Sequence, residues 1–171
     1  MKIFLIGMPG AGKSTLGKSL AEKLMMNFFD LDKEIEKREG MSVQEIFQDK
    51  GEAHFRVKEQ ETLREITAKH HSFMMATGGG APCFHQSMDF MLAAGKVLFL
   101  DLSLQSLFAR VQNSTDRPLL ALQDNKALME RLSSLREERL PIYKQAHYTI
   151  EEKDLTLAYV MDLLLRKENQ Q

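Results

Sequence analysis

The fold is decided by eight consecutive residues near the start of the chain, Gly7-Met8-Pro9-Gly10-Ala11-Gly12-Lys13-Ser14. Two glycines with four residues between them, followed by lysine and serine, match the phosphate-binding P-loop pattern. In a chain of 171 residues such a match arises by chance at roughly the one-in-a-hundred level. An apolar run precedes the stretch and leucines at helical spacing follow it. The strand–loop–helix context therefore favours a true phosphate-binding loop.

The chemistry of this loop follows from its residue types. Glycines allow the backbone to curl so that successive N–H groups point at phosphate oxygens, and the start of the following helix adds partial positive charge. Lys13 can reach the β- and γ-phosphates, and the Ser14 hydroxyl can ligate Mg²⁺. We expect the nucleotide to contact Gly10, Ala11, Gly12, Lys13, Ser14 and Thr15.

Apolar runs alternate with helical patterns along the rest of the chain. This alternation predicts a single α/β domain over residues 1–171, a three-layer fold with a five-stranded parallel sheet flanked by helices. The predicted strands are Lys2–Ile6, Asn27–Phe29, Phe73–Thr77, Lys96–Leu100 and His147–Ile150. Phe84 falls into helical spacing with Met88, Met91 and Leu92, which predicts that it lies on the core face of a helix. Residues 31–69 carry helical patterns only, and residues 112–125 have the polar profile of a mobile loop.

The composition excludes several classes of function. The formal net charge is −1, from 23 basic and 24 acidic residues, and no long run of one sign occurs. A broad surface for nucleic acid or for an anionic membrane is therefore not expected. No apolar stretch is long enough to span a membrane. The single cysteine, Cys83, cannot form an internal disulfide, which fits a reduced, cytoplasmic protein, and we expect a monomer.

A P-loop protein also needs an acidic residue near the metal, and two candidates end predicted strands. Asp30 follows an aromatic pair, and Asp101 follows a longer apolar run. Asp101 looks more like the usual strand-then-aspartate pattern. It also precedes a helix that it could cap, with Ser103 as the rival cap, so the residues alone leave the choice open.

An arginine on the apolar face of a late helix is a further candidate. Arg139 continues a stripe at helical spacing that is formed by Leu128, Leu132, Leu135 and Ile142. A buried guanidinium needs an anionic partner, which could be an internal acid or a bound substrate. Arg136, one turn earlier, is the rival for the substrate-binding role.

Several short motifs together resemble the shikimate kinase family along almost the whole chain. They are the P-loop, Asp30-Leu31-Asp32, Gly51-Glu52 with Phe55-Arg56, Gly78-Gly79-Gly80, Arg117-Pro118-Leu119-Leu120 and Arg139-Leu140-Pro141-Ile142-Tyr143. The guanine-reading Asn-Lys-x-Asp signature of GTPases is absent from the sequence. The resemblance implies ATP- and Mg²⁺-dependent phosphorylation of the 3-hydroxyl of shikimate, on the route to chorismate and the aromatic amino acids.

The resemblance also implies roles for single residues. Asp30 would serve the Mg²⁺ ion, and Asp32 would bind substrate hydroxyls and either orient the attacking one or accept its proton. Residues of about 31–60 would form a substrate-binding flap, and residues of about 112–124 a lid. The substrate would contact Asp32, Arg56, Gly78, Gly79, Gly80 and Arg139, and the nucleotide would also contact Arg110, which stacks on adenine, and the lid residue Arg117. Lys13, Asp32 and Arg117 would be the catalytic residues.

Two other functions stay open at this point. The chain could phosphorylate another small polyol acid, such as gluconate. It could also be a nucleotide-binding regulator without catalysis, although such a protein would have no need to keep the acceptor-site residues.

Overall fold

A computed structural model describes residues 1–112 and 124–166 of the chain. Five strands form one parallel sheet in the order β2-β3-β1-β4-β5. The strands are β1 (Lys2–Ile6), β2 (Asn27–Asp30), β3 (Phe73–Ala76), β4 (Lys96–Asp101) and β5 (Tyr148–Glu151). The helices are α1 (Lys13–Lys23), α2 (Leu31–Glu39), α3 (Val43–Asp49), α4 (Gly51–Lys69), α5 (Ser87–Ala94), α6 (Leu104–Val111), α7 (Asn125–Tyr143) and α8 (Leu157–Arg166), with 3₁₀ turns at Ala81–Cys83 and Glu152–Asp154.

The three central strands are covered on both faces. All residues of Ile3–Ile6, Phe73–Ala76 and Val97–Leu100 are buried. Successive side chains of a strand point to opposite faces, so continuous burial means that packed layers lie on both sides of the sheet. This arrangement confirms the predicted three-layer α/β fold with a five-stranded parallel sheet.

The predicted elements match the structure to within a residue at each end of every strand. Residues 31–69 contain α2, α3 and α4 and no strand, as predicted. The prediction for Phe84 is wrong, because α5 begins only at Ser87, after two residues with left-handed backbone. The predicted lid, including Arg117, lies almost wholly at residues 113–123, outside the described part of the chain.

The topology brings three loops to one edge of the sheet. β1 lies between β3 and β4, and β3 lies between β1 and β2. Because the strands are parallel, the segments that follow β1, β2 and β3 all leave the carboxyl edge next to one another, where open α/β sheets bind ligands. Those segments are the P-loop, the Asp30–Asp32 turn and the Gly78–Gly80 loop. In residues 1–112 and 124–166, every helix is too short or too polar to cross a bilayer.

Candidate active site

A cavity of about 1060 Å³ opens at this edge of the sheet. It brings together nearly all the described residues that the sequence analysis assigned to the nucleotide and the substrate. The shared lining consists of Gly10, Gly12, Lys13, Ser14, Thr15, Asp30, Asp32, Arg56, Gly78, Gly79, Gly80, Arg110 and Arg139. Ala11 is buried beneath the loop. One continuous cavity therefore has room for a phosphate group and an acceptor side by side.

The phosphate cradle depends on glycine at positions where a side chain would not fit. Gly10 and Gly12 have φ angles of 84° and 89°, in the left-handed region. A Cβ on Gly10 would lie 2.7 Å from Cγ2 of Val111 on α6. Lys13 is buried, and its Nζ donates to the carbonyl oxygens of Gly7 at 2.8 Å and Met8 at 2.9 Å. The loop therefore holds its own cation at the site where phosphate oxygens would bind.

The two candidate metal acids have different partners in the structure. Ser14 Oγ donates to Asp30 Oδ2 at 2.6 Å, so a hydroxyl and a carboxylate meet beside the cradle. Asp101 instead forms an ion pair with Arg136 at 2.7 Å, while Ser103 caps α6. Hard oxygen donors of this kind suit Mg²⁺, which keeps several waters and binds through few protein ligands. No group of three or more His, Cys, Asp or Glu side chains in the described residues could hold a metal ion, and such a group is not needed for an ion held mainly by phosphates and water.

Asp32 reaches the cavity from a helix and not from a strand end. Asp30 is the last residue of β2, and α2 begins at Leu31. Asp30 caps α2 by accepting from the Lys33 N–H at 3.4 Å. Asp32 thus lies in the first turn of that helix, where an acidic side chain is favoured by the helix dipole. Its Oδ1 lies against the loop after β3, 2.8 Å from where a Cβ on Gly78 would stand.

Arg56 is a buried cation held by two acids of its own helix. Its guanidinium donates from Nε and Nη2 to Glu52 Oε1, at 3.2 and 2.9 Å, and from Nη1 to Glu59 Oε2 at 2.8 Å. Among the described residues these bonds use three of the five N–H groups, and the remaining two are available to an anion in the cavity.

Glu59 is a buried acid of the site with a shifted pKa. Burial raises its pKa to about 7, an effect opposed by Arg56 and reinforced by the negative charge of Asp32. Its Oε1 has no hydrogen-bond partner in the described structure and lies 2.9 Å from where a Cβ on Gly78 would stand. The folded protein therefore holds a proton on Glu59 up to a higher pH than the unfolded chain does.

Glu59→Gln is expected to flatten the pH dependence of stability. The folded-state pKa is raised from 4.5 to about 7, so the stabilisation is fully present below pH 4.5 and is lost as the pH rises through about 7. This stabilisation amounts to at most about 3 kcal/mol. It would be measured as a change in the free energy of unfolding by urea between pH 4.5 and pH 8. Glu61→Gln, an exposed acid of the same helix, is the matched control. If the free energy of unfolding changed equally with pH in wild type and Glu59→Gln, the raised pKa of Glu59 would be contradicted.

Four charged side chains explain why the loop after β3 consists of glycines. A Cβ on Gly78 would collide with Asp32 and Glu59, one on Gly79 would lie 3.0 Å from the Arg139 Nη1, and one on Gly80 would lie 2.5 Å from the Arg56 Nη2. Each glycine therefore gives room to a charged side chain that lines the cavity. The predicted close approach of a ligand to this loop is compatible with that packing.

Arg139 is 4% exposed, and its helix is anchored to the glycine loop. Tyr143, one turn further along α7, donates its hydroxyl to the Gly79 carbonyl at 2.5 Å. Burial raises the pKa of Tyr143, while Arg139 lowers it, so the hydroxyl stays protonated as a donor. In residues 1–112 and 124–166 no ion pair between Arg139 and a carboxylate occurs within 4.0 Å. Its rival Arg136 is engaged by Asp101. The sequence analysis did not identify the tyrosine contact; its only signal is the i,i+4 spacing from Arg139.

Arg110 stands on the opposite side of the cradle. It is exposed at the end of α6, and its Nη1 lies 3.5 Å from the Gly10 carbonyl. This position is compatible with a nucleotide contact beside the P-loop. The second arginine assigned to the nucleotide, Arg117, lies outside the described residues.

A P-loop beside a pocket with two buried arginines, on one parallel sheet, defines a P-loop kinase for a small anionic acceptor. The sequence matches the family model described as shikimate kinase over residues 9–167. A shikimate kinase from Sulfurihydrogenibium sp. is 39% identical over 165 residues, which is 96% of each chain. The chain belongs to the shikimate kinase family.

Solved structures lead to the same family. The shikimate kinase of Bacteroides thetaiotaomicron superimposes with a TM-score of 0.89 at 38% identity, over 97% of this chain and 98% of that one. The shikimate kinase of Acinetobacter baumannii, solved in complex with shikimate, gives 0.90 at 35% identity, over 97% and 93%. Both likenesses cover the sheet and the cavity, so the family resemblance extends to the fold.

Proposed function

We propose that this chain transfers the γ-phosphoryl group of ATP to the 3-hydroxyl of shikimate, giving shikimate 3-phosphate and ADP. The observation that carries the proposal is the convergence of Asp32, Arg56 and Arg139 beside the P-loop in one cavity. Shikimate offers a carboxylate and three ring hydroxyls, which correspond to two arginines and an aspartate. The family and the shikimate-bound relative support this acceptor.

The acceptor half of the site would recognise the carboxylate with arginine. Arg56 has two N–H groups left by its acidic partners, and Arg139 is a buried guanidinium without a carboxylate partner in the described chain. Planar guanidinium groups suit bidentate carboxylate binding. The glycine loop would lie against the ring of the acceptor, and Asp32 would receive its hydroxyls.

The donor half would bind ATP through the backbone N–H groups of the P-loop and through Lys13. Ser14 and Asp30 would hold Mg²⁺, which when bound would neutralise part of the phosphate charge. Arg110 would contact the adenine side, and Arg117 would close over the phosphates from residues of about 112–124. Protein groups of this kind act by positioning and by charge stabilisation rather than by covalent chemistry.

The proposed step is an in-line displacement at the γ-phosphorus. A bond forms between the acceptor 3-hydroxyl oxygen and phosphorus, the bond from phosphorus to the β,γ-bridging oxygen breaks, and ADP leaves with that electron pair. Asp32 would orient the hydroxyl or accept its proton. Lys13 would remain beside the oxygens on which charge changes.

The test is shikimate-dependent release of ADP from Mg·ATP. Gluconate and buffer alone serve as controls, because gluconate is a polyol acid of similar charge. Turnover with shikimate only supports the proposal. Turnover with gluconate only would show that gluconate, and not shikimate, is the acceptor. ATP binding without turnover of either acid would favour a nucleotide-binding regulator without catalysis.

Arg139→Ala is expected to raise the shikimate KM by roughly 10- to 150-fold with little change in kcat, because a charge-assisted contact to the carboxylate is lost. Steady-state kinetics at saturating ATP measure both constants. Arg136→Ala is the matched control, since it removes an arginine from the same helix that pairs with Asp101. An unchanged KM in Arg139→Ala together with a raised KM in Arg136→Ala would show that Arg136, and not Arg139, binds the carboxylate.

The catalytic unit proposed here is one chain in the cytoplasm. All the described residues assigned to ATP and shikimate come from a single polypeptide, which supports activity as a monomer. Size-exclusion chromatography with light scattering at assay concentration would test this, and a larger active species would contradict it.

A further inference from the structure

Phe84 occupies a place that the core does not explain. It follows the 3₁₀ turn at Ala81–Cys83 and precedes α5, and it is half-buried. In the described chain it is not among the apolar side chains packed against the core. Met88 and Met91, which have helical spacing with Phe84 in the sequence, are core residues. Neither packing in the core nor lining of the cavity therefore accounts for Phe84 at this position.

The ring of Phe84 is stacked on the guanidinium of Arg56. The Arg56 Cζ lies 4.3 Å from the centroid of this ring, compared with 5.2 Å for Phe55 and 5.9 Å for Phe47. Phe47 and Phe55 line the cavity, as does Arg56, and Phe84 is not part of that lining. Phe84 is therefore the closest of the three rings and supports the guanidinium from outside the cavity.

The chain between Gly80 and Phe84 contacts the same guanidinium at both ends. A Cβ on Gly80 would lie 2.7 Å from the Arg56 Cζ, and the Phe84 ring covers it four residues later. The first contact requires glycine, and the second offers a π-face to a cation that is 4% exposed. Desolvated cation–π pairs are the stronger ones, because water does not compete for the charge.

The backbone after Phe84 is held in a conformation that its residues disfavour. His85 and Gln86 have φ angles of 53° and 56°, two successive left-handed residues that are not glycine. Gln60, on the same helix as Arg56, donates its side-chain Nε2 to the His85 carbonyl at 3.0 Å. Such conformations persist where the surrounding structure fixes them, and they are frequent at ligand clamps. Helix α4 thus carries the guanidinium and also fixes the turn that carries the ring.

We infer that Phe84 is a positioning residue for carboxylate recognition, an inference that rests on the proposed shikimate kinase activity. Glu52 and Glu59 together bond all three nitrogens of the Arg56 guanidinium, and the Phe84 ring covers its face. The two N–H groups left by those acids then face the cavity before the substrate arrives. A guanidinium that is already fixed before binding loses less conformational entropy when it binds a planar carboxylate.

Phe84→Leu is expected to weaken shikimate binding by roughly five- to thirty-fold, the loss of one desolvated cation–π pair. Isothermal titration calorimetry is the direct measurement, and kinetics should give a raised KM with kcat unchanged. The methyl ester of shikimate, which has no charge for Arg56 to recognise, should bind wild type and variant about equally. Phe84→Tyr keeps the ring and should restore shikimate binding.

Phe90→Leu is the matched control. Phe90 makes a similar stack, with the Arg64 Cζ 4.5 Å from its ring centroid, but Arg64 and Phe90 do not line the cavity. Its shikimate affinity should stay at the wild-type value, with ADP binding confirming that each variant is folded. Wild-type shikimate affinity in Phe84→Leu, or equal losses for the acid and the ester, would overturn the inference. Failure of the wild type itself to bind shikimate would instead overturn the proposed function and the inference with it.

Discussion

Replacing Lys13 with alanine is expected to lower kcat by roughly 10²- to 10³-fold, about 2.7–4 kcal/mol of transition-state stabilisation. The Lys13 Nζ is fixed by the Gly7 and Met8 carbonyls, so it is already oriented before the nucleotide binds. A cation fixed in this way needs no reorganisation when charge moves between the γ-phosphate and the leaving oxygen. ATP should still bind, since the backbone N–H groups of the loop remain. Steady-state kinetics and ADP calorimetry separate the two effects.

Two further variants distinguish charge from packing. Lys13→Met fills nearly the same volume without the charge and should lose turnover as Lys13→Ala does. Lys18→Ala removes an exposed lysine of the same helix and should retain wild-type kcat. Near-normal turnover in Lys13→Met would show that the side chain serves packing, and the proposed catalytic role of Lys13 would be wrong.

Sequence patterns predicted the features that depend on local chemistry. The P-loop and the apolar strands are read from adjacent residues, so the fold and the strand bounds of the sheet followed directly. The burial of Arg139 also followed, because its stripe of leucines recurs at helical spacing along α7. In each case the signal and its structural consequence lie within one element.

The remaining features depend on contacts between elements that are distant in the sequence. The ion pair that engages Asp101 is formed with Arg136, 35 residues away, and the spacing of the two acids gives no sign of it. The hydroxyl of Tyr143 meets Gly79 across 64 residues. Phe84 has helical spacing with its neighbours, yet two left-handed residues separate it from α5 and turn it toward α4. The spacing of apolar residues cannot signal such a turn, because left-handed backbone is uncommon for any residue other than glycine.

Asp32→Asn is expected to lower kcat by roughly 10²- to 10⁴-fold, the usual contribution of a positioned general base. The amide keeps the size of the side chain and one oxygen that accepts a hydrogen bond, but it can neither take a proton nor polarise the hydroxyl with a full charge. The shikimate KM should change much less, because Arg56 and Arg139 still hold the carboxylate. Single-turnover kinetics measured from pH 6 to pH 9 would report the chemical step.

The size of the loss separates the two roles left open for Asp32. If Asp32 only orients the hydroxyl, the retained oxygen of asparagine should limit the loss in kcat to about tenfold. A loose transition state needs little deprotonation of the hydroxyl early in the reaction. Glu34→Gln is the matched control, since Glu34 is the other acid in the first turn of α2 and shares any interaction with the helix dipole. Equal losses in both variants would attribute the effect to the helix terminus rather than to contact with the acceptor. A large loss confined to Asp32→Asn would instead place the proton or its hydrogen bond on that carboxylate during phosphoryl transfer.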